Sequence, residues 1–158
     1  MAVDRDDPLR LDRQVCFALA VANRSVLAVY RPLLEPMGLT HPQYLVMLAL
    51  WGEAPMSVRA IADAVQLDSP TLSPLLKRLE TAGLITRRRD PHDERTLLVD
   101  LTAAGRALRR DAERIPPAVV ERLGVSLADL EELRDVLTRV NEAARRAGHA
   151  DRTEAAGR

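Results

Sequence analysis

Residues 57–101, SVRAIADAVQLDSPTLSPLLKRLETAGLITRRRDPHDERTLLVDL, decide the fold. Their first half contains two short segments with apolar residues at helical spacing, joined by a tight turn at 66–68. The period then changes, and residues 84–87 and 96–101 predict two short strands around a polar turn. Helix, turn, helix and hairpin in this order predict a winged helix-turn-helix, which is a mainly α fold with a small β-hairpin wing.

Further helices are predicted before this stretch. Thr40, with Gln43 three residues later, forms a capping-box pattern that predicts a helix ending at Gly52. Residues 9–30 contain no glycine or proline and are apolar on more than one face, which indicates a long helix buried on several sides. A proline at position 32 is expected to end it.

Two more helices are predicted after the hairpin. Thr102 is expected to cap a helix over residues 103–114, which two prolines then stop. The last helix opens at Ser126 and carries a short heptad seam. The seam consists of Leu130, Leu133, Leu137, Val140 and Ala144. From Gly148 to Arg158 the composition is small and polar, which predicts a disordered tail.

Composition narrows the class of protein. The 158 residues carry 23 basic and 23 acidic side chains, and aromatic residues make up only 3%, so a helix-on-helix core is favoured. The single cysteine, Cys16, cannot form an intrachain disulfide, which fits a reducing compartment. The charged N-terminus does not resemble a signal peptide, and apolar runs such as 44–51 are too short to span a bilayer. We therefore expect a cytoplasmic protein with no membrane partner.

A local excess of positive charge indicates a nucleic-acid surface. Residues 77–89 contain five basic side chains against one acidic side chain, although the whole chain is neutral. The second helix of the motif also presents small hydroxyl side chains that can approach base edges. An arginine in the hairpin turn, held by neighbouring carboxylates, suits a narrow minor groove. The predicted contacts are Asp68, Ser69, Thr71, Ser73, Lys77 and Arg78 on the helix, and Arg87, Arg88, Arg89, Asp93 and Arg95 on the wing.

Each of these patterns taken alone indicates an ordinary solvated surface, and only their order favours DNA binding.

The start of the second helix of the motif is ambiguous, because Pro70 and Pro74 both lie near it. Either its first turn is irregular or the regular helix starts near Ser73.

Residues 60–105 resemble the MarR family of transcriptional regulators. The motifs that carry the resemblance are IA at 61–62, LLKRLE at 75–80, GLI at 83–85, DER at 93–95, and LT with a glycine three residues later at 101–105. The resemblance implies a homodimer held by N- and C-terminal helices that binds a pseudo-palindromic operator in double-stranded DNA. On this basis 1–158 is a single chain with dimerisation helices in 9–36 and 103–147 and a DNA-binding region in 40–101.

A longer stretch is similar to the one-cysteine, organic-hydroperoxide-sensing repressors of that family. The matching motifs are QVCF at 14–17, YRPLL at 30–34, PQYL at 42–45 and LDS-x-TL at 67–72. The resemblance implies that Cys16 senses peroxide, that oxidation releases DNA, and that Tyr30, His41 and Tyr44 support the thiolate across the dimer interface. Two positions depart from the family, since Ala20 and His41 stand where tyrosines are common.

Two arguments from the residues bear on this sensor. Cys16 and Tyr30 are 14 residues apart, about 21 Å along one continuous helix, so they can meet only between subunits. With no second cysteine, a sulfenic acid on Cys16 would go on to a mixed disulfide with a small thiol or to overoxidation.

Other functions stay open at this point. The same fold can be a repressor released by a small phenolic or aromatic acid, with Cys16 structural. An enzyme is disfavoured, because His41, His92 and His149 are scattered and no nucleophile or phosphate-loop motif occurs. We therefore expect no catalytic residues, metal or cofactor. A purely structural helical dimer would leave the run of arginines at 87–89 without a role.

Overall fold

The computed structural model describes residues 7–156, and the side chains of residues 7–148. Its helices are α1 (Val15–Leu34), α2 (His41–Glu53), α3 (Val58–Val65), α4 (Ser69–Thr81), α5 (Ala103–Ala112), α6 (Ile115–Leu123) and α7 (Leu127–Ala156). Its strands are β1 (Met56–Ser57), β2 (Ile85–Arg89) and β3 (Leu97–Leu101). Contacts divide the chain after Val119 into two compact units.

The strands form an antiparallel sheet in the order β1-β3-β2. Ile85 of β2 lies opposite Leu101 of β3, and Met56 of β1 lies opposite Val99. The predicted hairpin is therefore confirmed, and β1 adds a third strand that the sequence did not predict. The sequence did not indicate β1 because a strand of two residues is too short to show alternation. In the structure β1 pairs with β3 and so attaches the start of α3 to the hairpin.

The core of the first unit lies between α2, α3, α4 and the sheet. Its fully buried side chains include Met47, Leu50, Ile61, Leu72, Leu76, Leu79, Ile85 and Val99. The apolar positions of α4 recur at intervals of three and four residues, so one side of this helix is fixed to the core and the opposite side faces solvent. The winged helix-turn-helix predicted from the sequence is confirmed.

Helix α1 differs from the prediction at both ends. The sequence predicted a helix over residues 9–30, whereas a short 3₁₀ turn at Leu11–Arg13 and an extended Gln14 precede a helix that begins at Val15. The helix also continues through Pro32 to Leu34. A proline costs one backbone hydrogen bond there, and burial of the Leu34 side chain, which is 1% exposed, offsets that loss.

Helix α4 is regular from Ser69, which resolves the ambiguity at its start. Asp68 is the N-cap, and its carboxylate accepts a hydrogen bond from the backbone N–H of Thr71 at 2.8 Å. Pro70 lies in the first turn, where a missing N–H has no helical partner to lose. Pro74 lies inside the helix and removes a single backbone hydrogen bond, so a later start near Ser73 is excluded.

The C-terminal third contains one helix more than the sequence predicted. Helix α5 ends at Ala112, before the predicted end at Arg114, and Pro116 and Pro117 do not stop it. They lie instead in the first turn of α6, a position that proline tolerates. Helix α7 opens after Ser126 as predicted and continues to Ala156. The tail predicted to be disordered from Gly148 is thus helical to Ala156, since alanine, arginine and glutamate favour helix; residues 157–158 lie outside the described residues.

Each unit leaves an apolar helix face exposed. On α1 the exposed side chains include Val15, Phe17, Leu19 and Val21, and on α7 they include Leu133, Val136, Leu137 and Val140. The stretch Val15–Met37 also meets the length and composition of a membrane span, which the shorter apolar runs did not indicate. Because only 6% of its apolar window is buried, the expected burial of α1 on several sides is not met within one chain.

Candidate nucleic-acid interface and cysteine site

The solvent side of α4 carries the predicted recognition residues. Asp68, Ser69, Thr71, Ser73, Lys77 and Arg78 are all exposed, while the leucines between them are buried. Asp68 has a further role, because hydrogen bonds from Thr71 to its carboxylate cap the helix and lower the pKa of Asp68. The remaining five residues form a surface of short hydroxyls followed by two long cations, which can contact base edges and phosphates respectively.

An ion pair joins the wing to α4. The guanidinium of Arg87 on β2 donates to Oε2 of Glu80 from Nη2 at 2.6 Å and from Nε at 3.1 Å. This contact lowers the pKa of Glu80 and raises that of Arg87. Arg87 was predicted as a wing contact to DNA, but in the structure its charge is offset by a carboxylate seven residues earlier.

The pair makes a prediction for the pH dependence of stability. A carboxylate whose pKa is lowered by folding stabilises the protein above its unfolded pKa of about 4.3, and that contribution disappears as the pH falls through the lowered folded value. We expect Glu80→Gln to have a slightly lower melting temperature than the parent at pH 7, with the two values converging in acid. The effect is small because both side chains reach solvent. Glu94→Gln, an exposed glutamate in the wing turn, is the control, and a pH-independent difference for Glu80→Gln would contradict this role.

The wing turn is held by hydrogen bonds to its own backbone. Asp93 accepts from the backbone N–H of Arg95 and from the hydroxyl of Thr96, both at 3.1 Å. Arg89 donates to the carbonyl oxygen of Glu94 at 2.7 Å. The expectation that carboxylates hold the side chain of Arg95 is therefore wrong, because Asp93 bonds its backbone. Within residues 7–148, the Arg95 guanidinium has no hydrogen bond or ion pair and is free to reach a partner.

The sequence missed Arg59, a basic residue beside this turn. Arg59 lies in the first turn of α3, two residues after the Ser57 cap, and its side chain is exposed. It lines one open groove together with Ser69 and Arg95. The sequence signal for it was weak, since a single arginine in a support helix is common on any solvated surface.

The three predicted thiol-supporting residues meet in an aromatic cluster. The ring centroids of Tyr30 and His41 lie 4.9 Å apart, and that of Tyr44 lies 6.1 Å and 6.3 Å from them. Burial lowers the pKa of His41 and raises the pKa of both tyrosines. The cluster is therefore uncharged at neutral pH, so any support it gives to a thiolate comes from hydrogen bonds and not from an imidazolium.

Cys16 is not part of that cluster within one chain. Its side chain is exposed, and because α1 is continuous from Val15, Tyr30 lies about four helical turns away. The late start of α1 places Cys16 in the first turn, where backbone N–H groups have no helical partner and favour a negative charge nearby. The predicted helix start at Leu9 had placed it deeper in the helix.

A joint links α2, α5 and the start of the hairpin. The indole Nε1 of Trp51 donates to the carbonyl oxygen of Gly105 at 2.9 Å. Thr102, besides capping α5, donates from its hydroxyl to the carbonyl oxygen of Gly83 at 2.6 Å and from its N–H to that of Leu84 at 3.1 Å. A β-carbon on Gly105 would lie 2.1 Å from the Leu84 carbonyl oxygen, so the two backbones touch.

This contact predicts a large cost for a side chain at Gly105. We expect Gly105→Ala to lower the free energy of unfolding by about 3 kcal/mol, because backbone must move to admit the methyl group. The matched control is Gly52→Ala on α2, where no atom lies within 4 Å and alanine should stabilise the helix by about 0.5–1 kcal/mol. Urea unfolding at equal protein concentration measures both, and equal effects would disprove the close packing at Gly105.

Proteins of known sequence and structure match most of the chain. The sequence model of the MarR family matches residues 39–97. The organic hydroperoxide resistance transcriptional regulator of Bacillus subtilis (strain 168) is 40% identical over 131 residues, which is 83% of this chain and 89% of that protein. The HTH-type transcriptional regulator TtmR of Methylorubrum extorquens (strain PA1) is 44% identical over 138 residues, 87% of this chain and 71% of that protein. The structure of reduced AbfR bound to DNA superposes with a TM-score of 0.75 at 31% identity, covering 89% of this chain and 96% of AbfR; AbfR comes from Staphylococcus epidermidis.

Proposed function

Because this chain belongs to the MarR family of transcriptional regulators, we propose that it is a repressor that senses organic hydroperoxides through Cys16 and releases its operator when Cys16 is oxidised. The chain is a DNA-binding regulator that acts as a homodimer, as its family does. The observation that carries the finer proposal is the exposed Cys16 thiol in the first turn of α1, beside an apolar face with room for a second subunit. The proposal places the protein in the cytoplasm and assigns it no catalytic activity.

In the proposed complex each subunit reads half of a pseudo-palindromic operator. Helix α4 enters the major groove, where the hydroxyls of Ser69, Thr71 and Ser73 approach base edges, while Lys77 and Arg78 contact phosphates. The wing lies along the flanking minor groove with Arg95 at its tip. The exposure of all these side chains supports this arrangement.

The proposed reaction uses one thiol and no second cysteine. The Cys16 sulfur attacks the terminal oxygen of a hydroperoxide, forming an S–O bond while the O–O bond breaks and the alkoxide leaves as an alcohol after protonation. Cysteine is oxidised to the sulfenic acid and the peroxide is reduced. A small cellular thiol then displaces water from the sulfenic acid and forms a mixed disulfide. Tyr30 and His41 of the partner subunit donate hydrogen bonds to the reacting sulfur in this scheme.

Oxidation changes the face on which Cys16 lies. Val15, Phe17 and Leu19 are its apolar neighbours in the chain, and a polar or bulky group among them would disturb the packing of two subunits. Such a disturbance alters the spacing of the two α4 helices, which must match successive major grooves about 34 Å apart. Fluorescence anisotropy on DNA from upstream of the protein's own gene tests this, with parent and Cys16→Ser compared before and after peroxide.

A second candidate is release by a small aromatic acid, with Cys16 structural. It is favoured by a groove of about 300 Å³ lined by Tyr44, Leu48 and Trp51, with Arg109 at its rim. Arg109 is paired with Glu113, and a carboxylate ligand would compete for that guanidinium. If a ligand of this class releases DNA from the parent and from Cys16→Ser alike, the ligand-responsive function is supported over the redox function.

A further inference from the structure

An open groove of about 410 Å³ lies between α3, the start of α4 and the wing. Two arginines reach it from different elements, Arg59 from α3 and Arg95 from the wing turn. Both side chains are exposed, and within the described side chains neither guanidinium has a hydrogen bond or ion pair. The predicted recognition residues and wing account for Arg95, but they leave Arg59 without a role.

The remainder of the groove is suited to an anion. Hydroxyl groups of Ser57, Ser69 and Thr96 line it, and among the described residues no carboxylate does. Two acidic residues beside the groove are already hydrogen-bonded: the carboxylate of Asp68 accepts from the backbone N–H of Thr71 at 2.8 Å, and that of Asp93 accepts from Arg95 and Thr96, both at 3.1 Å. Glu94, which precedes Arg95, is exposed and does not line the groove. The Thr96 hydroxyl already donates to Asp93, which leaves Ser57 and Ser69 as hydroxyl donors. Two uncompensated guanidinium groups and these two hydroxyls in one groove match the hydrogen-bonding needs of a phosphate.

We propose that Arg59 binds a backbone phosphate of the operator, at the edge of the minor groove that Arg95 enters. This inference rests on the DNA binding of the proposed function and adds a contact from α3, the support helix. A minor groove is flanked on both sides by phosphates, so a cation that lines the same groove as Arg95 can meet the backbone when Arg95 enters the minor groove. Arg59 then positions the strand, while Arg95 reads the width of the groove.

The two roles predict different responses to salt and to sequence. Replacing a phosphate contact in both subunits of the dimer removes about two of them, which lowers the slope of log K against log salt by about 1.8. The affinity deficit of Arg59→Ala should therefore shrink about 12-fold between about 50 and 200 mM salt. Arg59→Ala should weaken operator, a G·C-flanked operator and a non-specific duplex by the same factor. Arg95→Ala should instead abolish any preference for A·T-rich flanks.

The experiment is an anisotropy titration of full-length protein on those three duplexes at several salt concentrations. Arg59→Lys should retain the parental slope, and Arg110→Ala, which removes an exposed arginine from α5, should leave it unchanged. A parental slope for Arg59→Ala overturns the proposal, as does a loss of flank preference in Arg59→Ala or a parent that binds no duplex. Each titration is repeated after treatment with organic hydroperoxide and a small thiol. Insensitivity of all variants to peroxide overturns the redox function alone and leaves the phosphate contact standing.

Discussion

Treatment with stoichiometric organic hydroperoxide and a small thiol is expected to weaken operator binding by the parent protein about a thousandfold, the low end of the gap between specific and non-specific binding. Cys16→Ser should stay bound under the same conditions, because serine cannot be oxidised by the peroxide. The effect is large because both subunits carry the thiol, so both sides of the interface change together. Anisotropy titration before and after treatment measures the change.

The matched control for this experiment lies one turn along the same helix. Ala20→Ser adds an identical hydroxyl group to exposed α1 but retains the thiol, so it should respond to peroxide as the parent does. Intact-mass measurement should show the mixed disulfide in the parent and in Ala20→Ser. Loss of binding by peroxide-treated Cys16→Ser would rule out Cys16 as the sensor.

Introducing an aspartate into the seam of α7 is expected to separate the subunits. Leu133 is 51% exposed in the single chain, so Leu133→Asp should leave the subunit folded while it places two carboxylates in a dimer interface. A monomer contacts one half-site only, and the loss of bivalent binding should weaken operator affinity about a thousandfold. Light scattering measures the mass, and anisotropy measures the affinity.

Ala128→Asp is the control for the seam. It adds the same carboxylate to the first turn of α7 on the side away from the seam, where an acidic residue favours the helix dipole. This variant should stay dimeric and bind operator normally. A dimeric Leu133→Asp protein with parental affinity would show that the seam is not the interface.

Much of this fold could be predicted because helix capping, strand alternation and helical spacing involve residues only two to four positions apart in the sequence. Thr40 and Gln43 form both hydrogen bonds of the predicted capping box. Ser126, where the last helix was expected to open, caps it by accepting from the backbone N–H of Asp129 at 3.1 Å. Alternation in the hairpin and the apolar spacing of α4 also depend on neighbours only, and both elements formed where they were expected. The same spacing predicted which residues of α4 face solvent, and the proposed recognition residues are among them.

What the sequence missed depends on contacts between elements and on backbone geometry, neither of which a periodic pattern shows. Arg87 forms an ion pair with Glu80, so its charge is partly offset. The sequence showed three consecutive arginines at 87–89 and did not distinguish Arg87 from the other two. The strand β1 exists only because β3 lies beside it, and Arg59 and Arg95 line one groove only because α3 packs against β3. The late start of α1 likewise depends on backbone geometry at Gln14, which no periodic pattern shows.

The joint at Trp51 gives the protein an optical reporter of its own. Trp51 is the single tryptophan of the chain, and Tyr30 and Tyr44 are its two tyrosines. The ring centroids of Tyr44 and Trp51 lie 6.5 Å apart, so excitation energy absorbed by the tyrosines can transfer to the indole of Trp51. That indole is hydrogen-bonded to the carbonyl oxygen of Gly105. The emission colour and lifetime of that indole therefore register events at the cluster and at the base of the wing without any attached dye.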